Sequence, residues 1–214
     1  MIKSVLKSIQ LGVLFVAVSA SVMARSDDGS SVQLSQLLAG THSFQANFEQ
    51  RLSDEDNQIM QQSSGTMIVI NSGKLRWQTE QPFAQLVVTD GHKLWRYDED
   101  LEQASVGSFS IDLAQTPAMI LSGKVEELDQ QYTVTGQIDE QSNGQFTLIP
   151  TSTNSLFDSL VIRFNQGRVS AMILLDGFGQ TTDIQFSEVV VNAAVNDDLF
   201  SFTPPQGTDV LVEQ

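Results

Sequence analysis

The 214-residue chain contains no cysteine and only two histidines, His42 and His92. The first absence excludes disulfides, thiolate metal sites and a lipid-acceptor thiol behind the N-terminal segment. With no HExxH and no His-x-His, zinc chemistry lacks its usual ligands. No GxSxG elbow, P-loop or GxGxxG opening a helix is present, so nothing marks a nucleophile, a nucleotide site or a cofactor. Basic residues are scarce: 11 Lys and Arg face 26 Asp and Glu, a formal net charge of -15. A surface of that sign repels nucleic acid and anionic membrane; it suits plain solubility or a basic docking partner. Nor does any apolar run reach the roughly 18 to 20 residues that a membrane-spanning helix needs.

The acidic residues that replace the missing bases fall into two clusters. A calcium loop needs oxygen ligands at positions 1, 3 and 5, glycine at 6 and glutamate at 12. Counting from Asp98 puts Gln103 and Phe109 at the last two positions, and counting from Asp54 puts Ile59 at the sixth. Both readings fail, so no metal is assigned and no residue is assigned to catalysis. Each cluster lies where one strand should end and another begin, which makes it the solvated tip of a hairpin.

The N-terminus carries Lys3 and Lys7 ahead of an apolar run from Leu11 to Ala20 and the small-residue site Val22-Met23-Ala24. This reads as a secretory signal peptide, residues 1–24, whose cleavage near Ala24 exports residues 25–214 as one domain. Val32, Leu34, Leu37 and Leu38 then follow helical spacing and stop at Gly40. From Phe44 the period changes to two, with Phe44, Ala46 and Phe48 on one face. Short β-branched and aromatic runs follow at 65–70, 74–79, 84–89, 93–97 and 101–106. Residues 114–123 interrupt them with a second short apolar helix that has Pro117 near its start and Gly123 at its end. Strands resume at Tyr132 and continue to Val191, punctuated by Asn143-Gly144, Asn165-Gln166-Gly167 and Asp176-Gly177.

About eleven strands with two or three short helices predict a mainly β fold: a strongly curved, unclosed antiparallel β-barrel. Helices too short to be stable alone and apolar enough to need burial belong in its concavity, as a core plug or as a lid over an apolar cavity.

Five stretches carry a resemblance: FQANFEQ (44–50), GTMIV with GKLRWQTEQP (65–82), VVTDGHKLWRYDEDLEQASV (87–106), TPAMIL (116–121) and FSFTPPQGTDV (200–210). In this order they closely resemble the periplasmic outer-membrane lipoprotein carrier family, LolA. The resemblance implies a periplasmic chaperone, acting as a monomer, with a helical lid over a hydrophobic cavity. Its implied cargo is triacylated lipoproteins, its donor an inner-membrane lipoprotein-releasing ABC transporter, and its acceptor an outer-membrane receptor. It implies no hydrolysis, so the chain is read as not an enzyme.

On that basis the lid should contain Leu34, Leu37 and Leu38 with Met119, Ile120 and Leu121, above a cavity lined by Phe44, Phe48, Leu75, Trp77, Leu86 and Val88. In the family an Arg-Pro pair precedes the G-K-aromatic-x-W strand, and its arginine latches the lid by bonding backbone carbonyls. Here Asn71 and Ser72 occupy those positions, so either the lid is looser or another donor substitutes for the expected Asn71 and Ser122 latch. The alternative reading is a periplasmic sensor of mislocalised lipoproteins with a related barrel. Those chains are longer and carry a second domain. The outer-membrane receptor would need a lipidated cysteine.

Overall fold

The computed structural model describes residues 28–109, 117–121, 128–153, 155 and 157–213. The expected leader, residues 1–24, lies outside the described residues. In chain order the elements are α1 (Asp28–Ala39), β1 (Ser43–Ser53), β2 (Ile59–Ile70), β3 (Lys74–Gln81), β4 (Gln85–Thr89), β5 (Lys93–Asp98) and β6 (Gln103–Ser108). After helical turns at Pro117–Ile120 and Leu128–Gln131 come β7 (Tyr132–Ile138), β8 (Gly144–Pro150), β9 (Ser159–Asn165), β10 (Arg168–Leu175), β11 (Thr181–Val191), a 3-10 turn at Asp197–Phe200 and β12 (Asp209–Val212).

The strands form one sheet of 12 in the order β12-β6-β5-β4-β3-β2-β1-β11-β10-β9-β8-β7. Its outermost strands, β12 and β7, are not paired with each other, so the curled sheet is the unclosed barrel that the strand pattern predicts. One strand differs from the antiparallel expectation of about eleven. β12 runs parallel to β6, with Asp209 beside Gln103 and Val212 beside Val106.

The acidic clusters close turns. Asp54 Oδ1 accepts the N–H groups of Asp56 and Gln58 at 3.0 and 2.8 Å, and Asp98 Oδ1 accepts that of Leu101 at 3.0 Å. Asp90, Asp139 and Asp176 do the same at three further hairpins. A short carboxylate that folds back onto amides two to four residues on is the Asx-turn device, and it gives a loop local reason to bend. The N–H donated by Lys93 holds the Asp90 carboxyl below its usual range, with His92 adding to the effect.

Curvature has a visible cause in β2. The pairing of β2 with β3 shifts between Ser64 and Gly65, and any side chain at Gly65 would overlap the backbone carbonyl of Gln78. The strands approach there as only glycine permits, and the bulge adds twist.

The curl separates two apolar layers. The concave layer runs from Leu34 and Leu38 of α1 across Phe44, Phe48, Met67 and Leu75 to Phe146, Leu148, Leu160 and Ile162. The convex layer is smaller: Leu86, Val88 and Phe200 are buried, and Ile68, Ile70, Trp95, Tyr97 and Phe202 pack around them. The C-terminal segment covers this second layer. Lys74 pairs with Asp197 at 2.9 Å, Arg76 donates to the Leu199 carbonyl at 3.2 Å, and Phe202 meets the Trp95 and Tyr97 rings at 5.6 and 5.2 Å between centroids.

Gly65→Ala should therefore destabilise the fold by about 1–3 kcal/mol, the usual range for forced overpacking. Urea denaturation followed by circular dichroism measures this, and an unchanged midpoint would place the bend elsewhere.

Candidate functional site

The concave face is built by register. Across β1, β2 and β3, Phe44 sits opposite Val69 and Val69 opposite Leu75; Ala46 sits opposite Met67 and Met67 opposite Trp77. On the other side of β1, Phe48 faces Phe186 and Phe44 faces Val191. Side chains directly opposite one another share a face, so these rows continue one apolar surface across several strands. Phe44 meets the Phe186 ring edge-on at 5.3 Å, and the Phe48 and Trp77 rings lie 4.2 Å apart.

Helix α1 covers this surface. Leu34 and Leu38, one turn apart, are 0% and 1% exposed, whereas Val32 points outward. Leu37 packs at the edge of the same cluster. Ile120 and Leu121, beside the second helical turn, are also in it. The Met119 side chain and Ser122 lie outside the described residues. Between α1, Leu121 and the β9–β10 hairpin a cavity of about 160 Å³ remains, lined by Leu37, Leu38, Phe44, Phe164 and Val169 among others.

Leu86 and Val88 are not part of this surface. In the β3–β4 pairing Trp77 is opposite Val87 and Leu75 opposite Thr89, while Gln78 and Arg76 face Leu86 and Val88. Thus Val87 and Thr89 share the concave face, and Leu86 and Val88 point into the convex layer under Phe200. Strand β4 has buried residues on both faces, so alternation alone does not reveal which set points inward.

Helix α1 is tied at both ends. Near its start the Ser30 hydroxyl donates to the Gly136 carbonyl at 2.7 Å, and the Ile138 N–H donates to Gln33 Oε1 at 3.4 Å. At its end Asn192 is the clasp. Asn192 Nδ2 donates to the Gly40 carbonyl at 2.9 Å, and Asn192 Oδ1 accepts the His42 N–H at 2.7 Å. Its own N–H donates to the Ser43 carbonyl at 2.9 Å. Asn192 has φ +58, a left-handed conformation that asparagine tolerates better than most residues.

Asn71, at the position of the expected latch, does something smaller. Its N–H donates to the His42 carbonyl at 3.0 Å, and its Nδ2 lies 3.2 Å from His42 Nδ1. It steadies the loop after α1 and makes no bond to a carbonyl of α1 itself. The side chain that grips the helix end is Asn192. Its signal in the sequence is slight: an asparagine closing the run VVV, where a strand must turn.

Beyond Phe48 and Trp77 the concave face changes character. A second cavity of about 220 Å³ is lined there by Gln50, Gln61, Ser63, Trp77, Thr79 and Phe83, with Gln85 and Val87 at its side. Among the described residues no charged side chain lines it.

Comparison with known proteins gives consistent matches. The family model described as "Outer membrane lipoprotein carrier protein LolA" matches residues 39–203. The outer-membrane lipoprotein carrier protein of Hahella chejuensis is 39% identical over 199 residues, covering 92% of this chain and 94% of that protein. The protein of the same name from Pseudomonas putida (strain W619) is 38% identical over 197 residues, covering 92% and 93%. Among solved structures, an uncharacterized conserved protein from Thermus thermophilus shares the fold with TM-score 0.55 at 12% identity, covering 86% of this chain and 99% of that one.

Replacing Asn192 with glycine keeps the left-handed backbone accessible and removes both side-chain bonds. The expected loss is about 0.5–1.5 kcal/mol per bond, near the low end because the site is exposed, with faster hydrogen exchange at the His42 amide. Asn71→Ala should change that exchange far less. Equal effects of the two variants would reassign the clasp.

Proposed function

The chain belongs to the outer membrane lipoprotein carrier family LolA, and from that premise we propose that it binds the acyl chains of lipoproteins in the periplasm and carries them to the outer membrane. The observation that carries this reading is the concave apolar face roofed by Leu34, Leu38, Ile120 and Leu121. An inner-membrane lipoprotein-releasing ABC transporter as donor and an outer-membrane receptor as acceptor complete the route. Signal-peptide cleavage near Ala24 would deliver residues 25–214 to the compartment between them. Binding and release, with no bond made or broken, make up the chemistry in this reading.

The magnitudes are compatible with transport that needs no fuel of its own. Burying a chain of roughly 16 carbons is worth on the order of 12 kcal/mol at about 0.8 kcal/mol per CH₂. The cavity of about 160 Å³ beside Leu121 has room for only about five water-sized volumes of roughly 30 Å³. Acyl chains must therefore displace roofing side chains. Uncovering Leu34, Leu38, Ile120 and Leu121 costs about 1.5–3 kcal/mol each, which offsets much of the gain from burying one chain. A closed empty state thus weakens the grip on cargo and lets a tighter receptor take it.

Leu75 is buried beside Val69 on the concave face, so Leu75→Glu would set an unpaired carboxylate among the acyl chains. The variant should capture lipoprotein from inner-membrane vesicles at least about tenfold less well, and wild-type capture by a folded variant would remove Leu75 from the site. Depletion in the host should leave lipoproteins at the inner membrane. Normal sorting with an altered stress response would instead favour a sensor.

A further inference from the structure

The neutral half of the concave face continues the apolar surface that the acyl chains of the proposed cargo would occupy. Gln50 stands two residues beyond Phe48 on β1, Thr79 two beyond Trp77 on β3, and Ser63 two before Gly65 on β2. Gln50 is opposite Ser63, and Gly65 is opposite both Phe48 and Thr79. Thr79 therefore stands level with Phe48 across Gly65, and Gln50 and Ser63 lie one pleat, about 7 Å, beyond that row on the same face. Trp77 marks the boundary: its ring lies against Phe48, and it also lines the neutral cavity.

Three properties of this cavity are informative together. It adjoins the apolar layer at Trp77, so a molecule whose chains enter that layer from this end would place its head here. Its lining has amides and hydroxyls and, among the described residues, no Asp, Glu, Lys or Arg, in a chain with 26 acidic and 11 basic residues. The side chains of Gln50, Gln61, Ser63 and Thr79 have no hydrogen-bonding partner among the described residues. Gln85, by contrast, is engaged by Asp98 at 2.9 Å.

We propose that this cavity seats the uncharged head of the cargo, the glyceryl esters and first peptide amides of an acylated cysteinyl N-terminus. Glutamine both donates and accepts, and a hydroxyl does the same, so the set matches ester carbonyls and amide N–H groups. An anionic phospholipid head is the poorer fit, because a phosphate among neutral amides lacks the cation that its burial requires. The inference rests on the carrier reading and adds to it a basis for choosing lipoprotein over phospholipid.

The test uses the mature protein and three probes in a fluorescence displacement assay: a synthetic triacyl-cysteinyl tetrapeptide, palmitate and dipalmitoyl phosphatidylglycerol. Wild type should prefer the lipopeptide to the phospholipid. In a Gln50→Leu, Ser63→Ala, Thr79→Val variant the ratio of lipopeptide to palmitate affinity should fall about tenfold, the size expected from a few lost hydrogen bonds. Thr79→Lys, a single change at a half-buried position of the cavity lining that guards against misfolding of the triple variant, should shift preference toward the phospholipid by a similar factor. If both ratios stay at wild-type values, the head is seated elsewhere and the proposal is overturned. If wild type binds none of the three probes, the carrier reading itself fails, a result separate from the loss of selectivity.

Discussion

Everything in this structure depends on covering the hollow of a sheet that does not close. A curled antiparallel sheet with Phe44, Phe48, Met67, Leu148 and Ile162 turned inward exposes more apolar surface than water tolerates, and among the described residues no second sheet packs against it. Burial at roughly 25 cal/mol per Å² makes any apolar cover favourable. Helix α1 and the segment at Ile120 and Leu121 supply one from the chain itself. Because the contact is apolar and carries little directional bonding, another apolar molecule can take its place. The same force that completes the fold would make the site of the proposed carrier.

The polar contacts then decide where the cover can move. Ser30 and Gln33 tie the start of α1 to β7, and Asn192 ties its end to the junction of β1 and β11. The helix spans the hollow as a strap fixed at two points. Gly40, at the clasp, supplies both the helix stop and the carbonyl that Asn192 holds. The helix end is bonded here by Asn192, a short uncharged amide just after β11, and not from the Asn71 position where the resemblance implies a latch.

Much of this was legible before any coordinates. The alternation Phe44-Ala46-Phe48 and the pair Leu75 and Trp77 reveal a strand face directly, because the intervening residues, Gln45 and Asn47 on β1 and Arg76 and Gln78 on β3, are polar. Leu86 and Val88 illustrate the limit. They belong to a strand buried on both sides, and only the register set through the Pro82–Ala84 turn decides that Val87 faces inward. β12 was missed for a different reason: parallel pairing with β6 joins residues about a hundred positions apart, and four residues after a Pro-Pro-Gln-Gly turn leave no periodicity to read. Asn192 was missed because its importance lies in a backbone conformation and two distant partners. The acidic clusters, in contrast, were legible as turns, since short carboxylates between two strand runs favour folding back onto nearby amides, as Asp54 and Asp98 do.

The convex layer under Phe200 and Phe202 has a mechanical consequence. Strands β2 and β3 are covered on both sides, by the concave layer at Met67, Val69, Leu75 and Trp77 and by the C-terminal segment opposite it, whereas β7 to β9 carry Thr133, Thr135, Gln145 and Arg163 on an outer face open to water. A plate laminated on both sides is stiff, and one backed on a single side bends. An interior that enlarged to take a ligand, as the proposed carrier role requires, would therefore yield at β7 to β9 and hold its shape at β2 and β3.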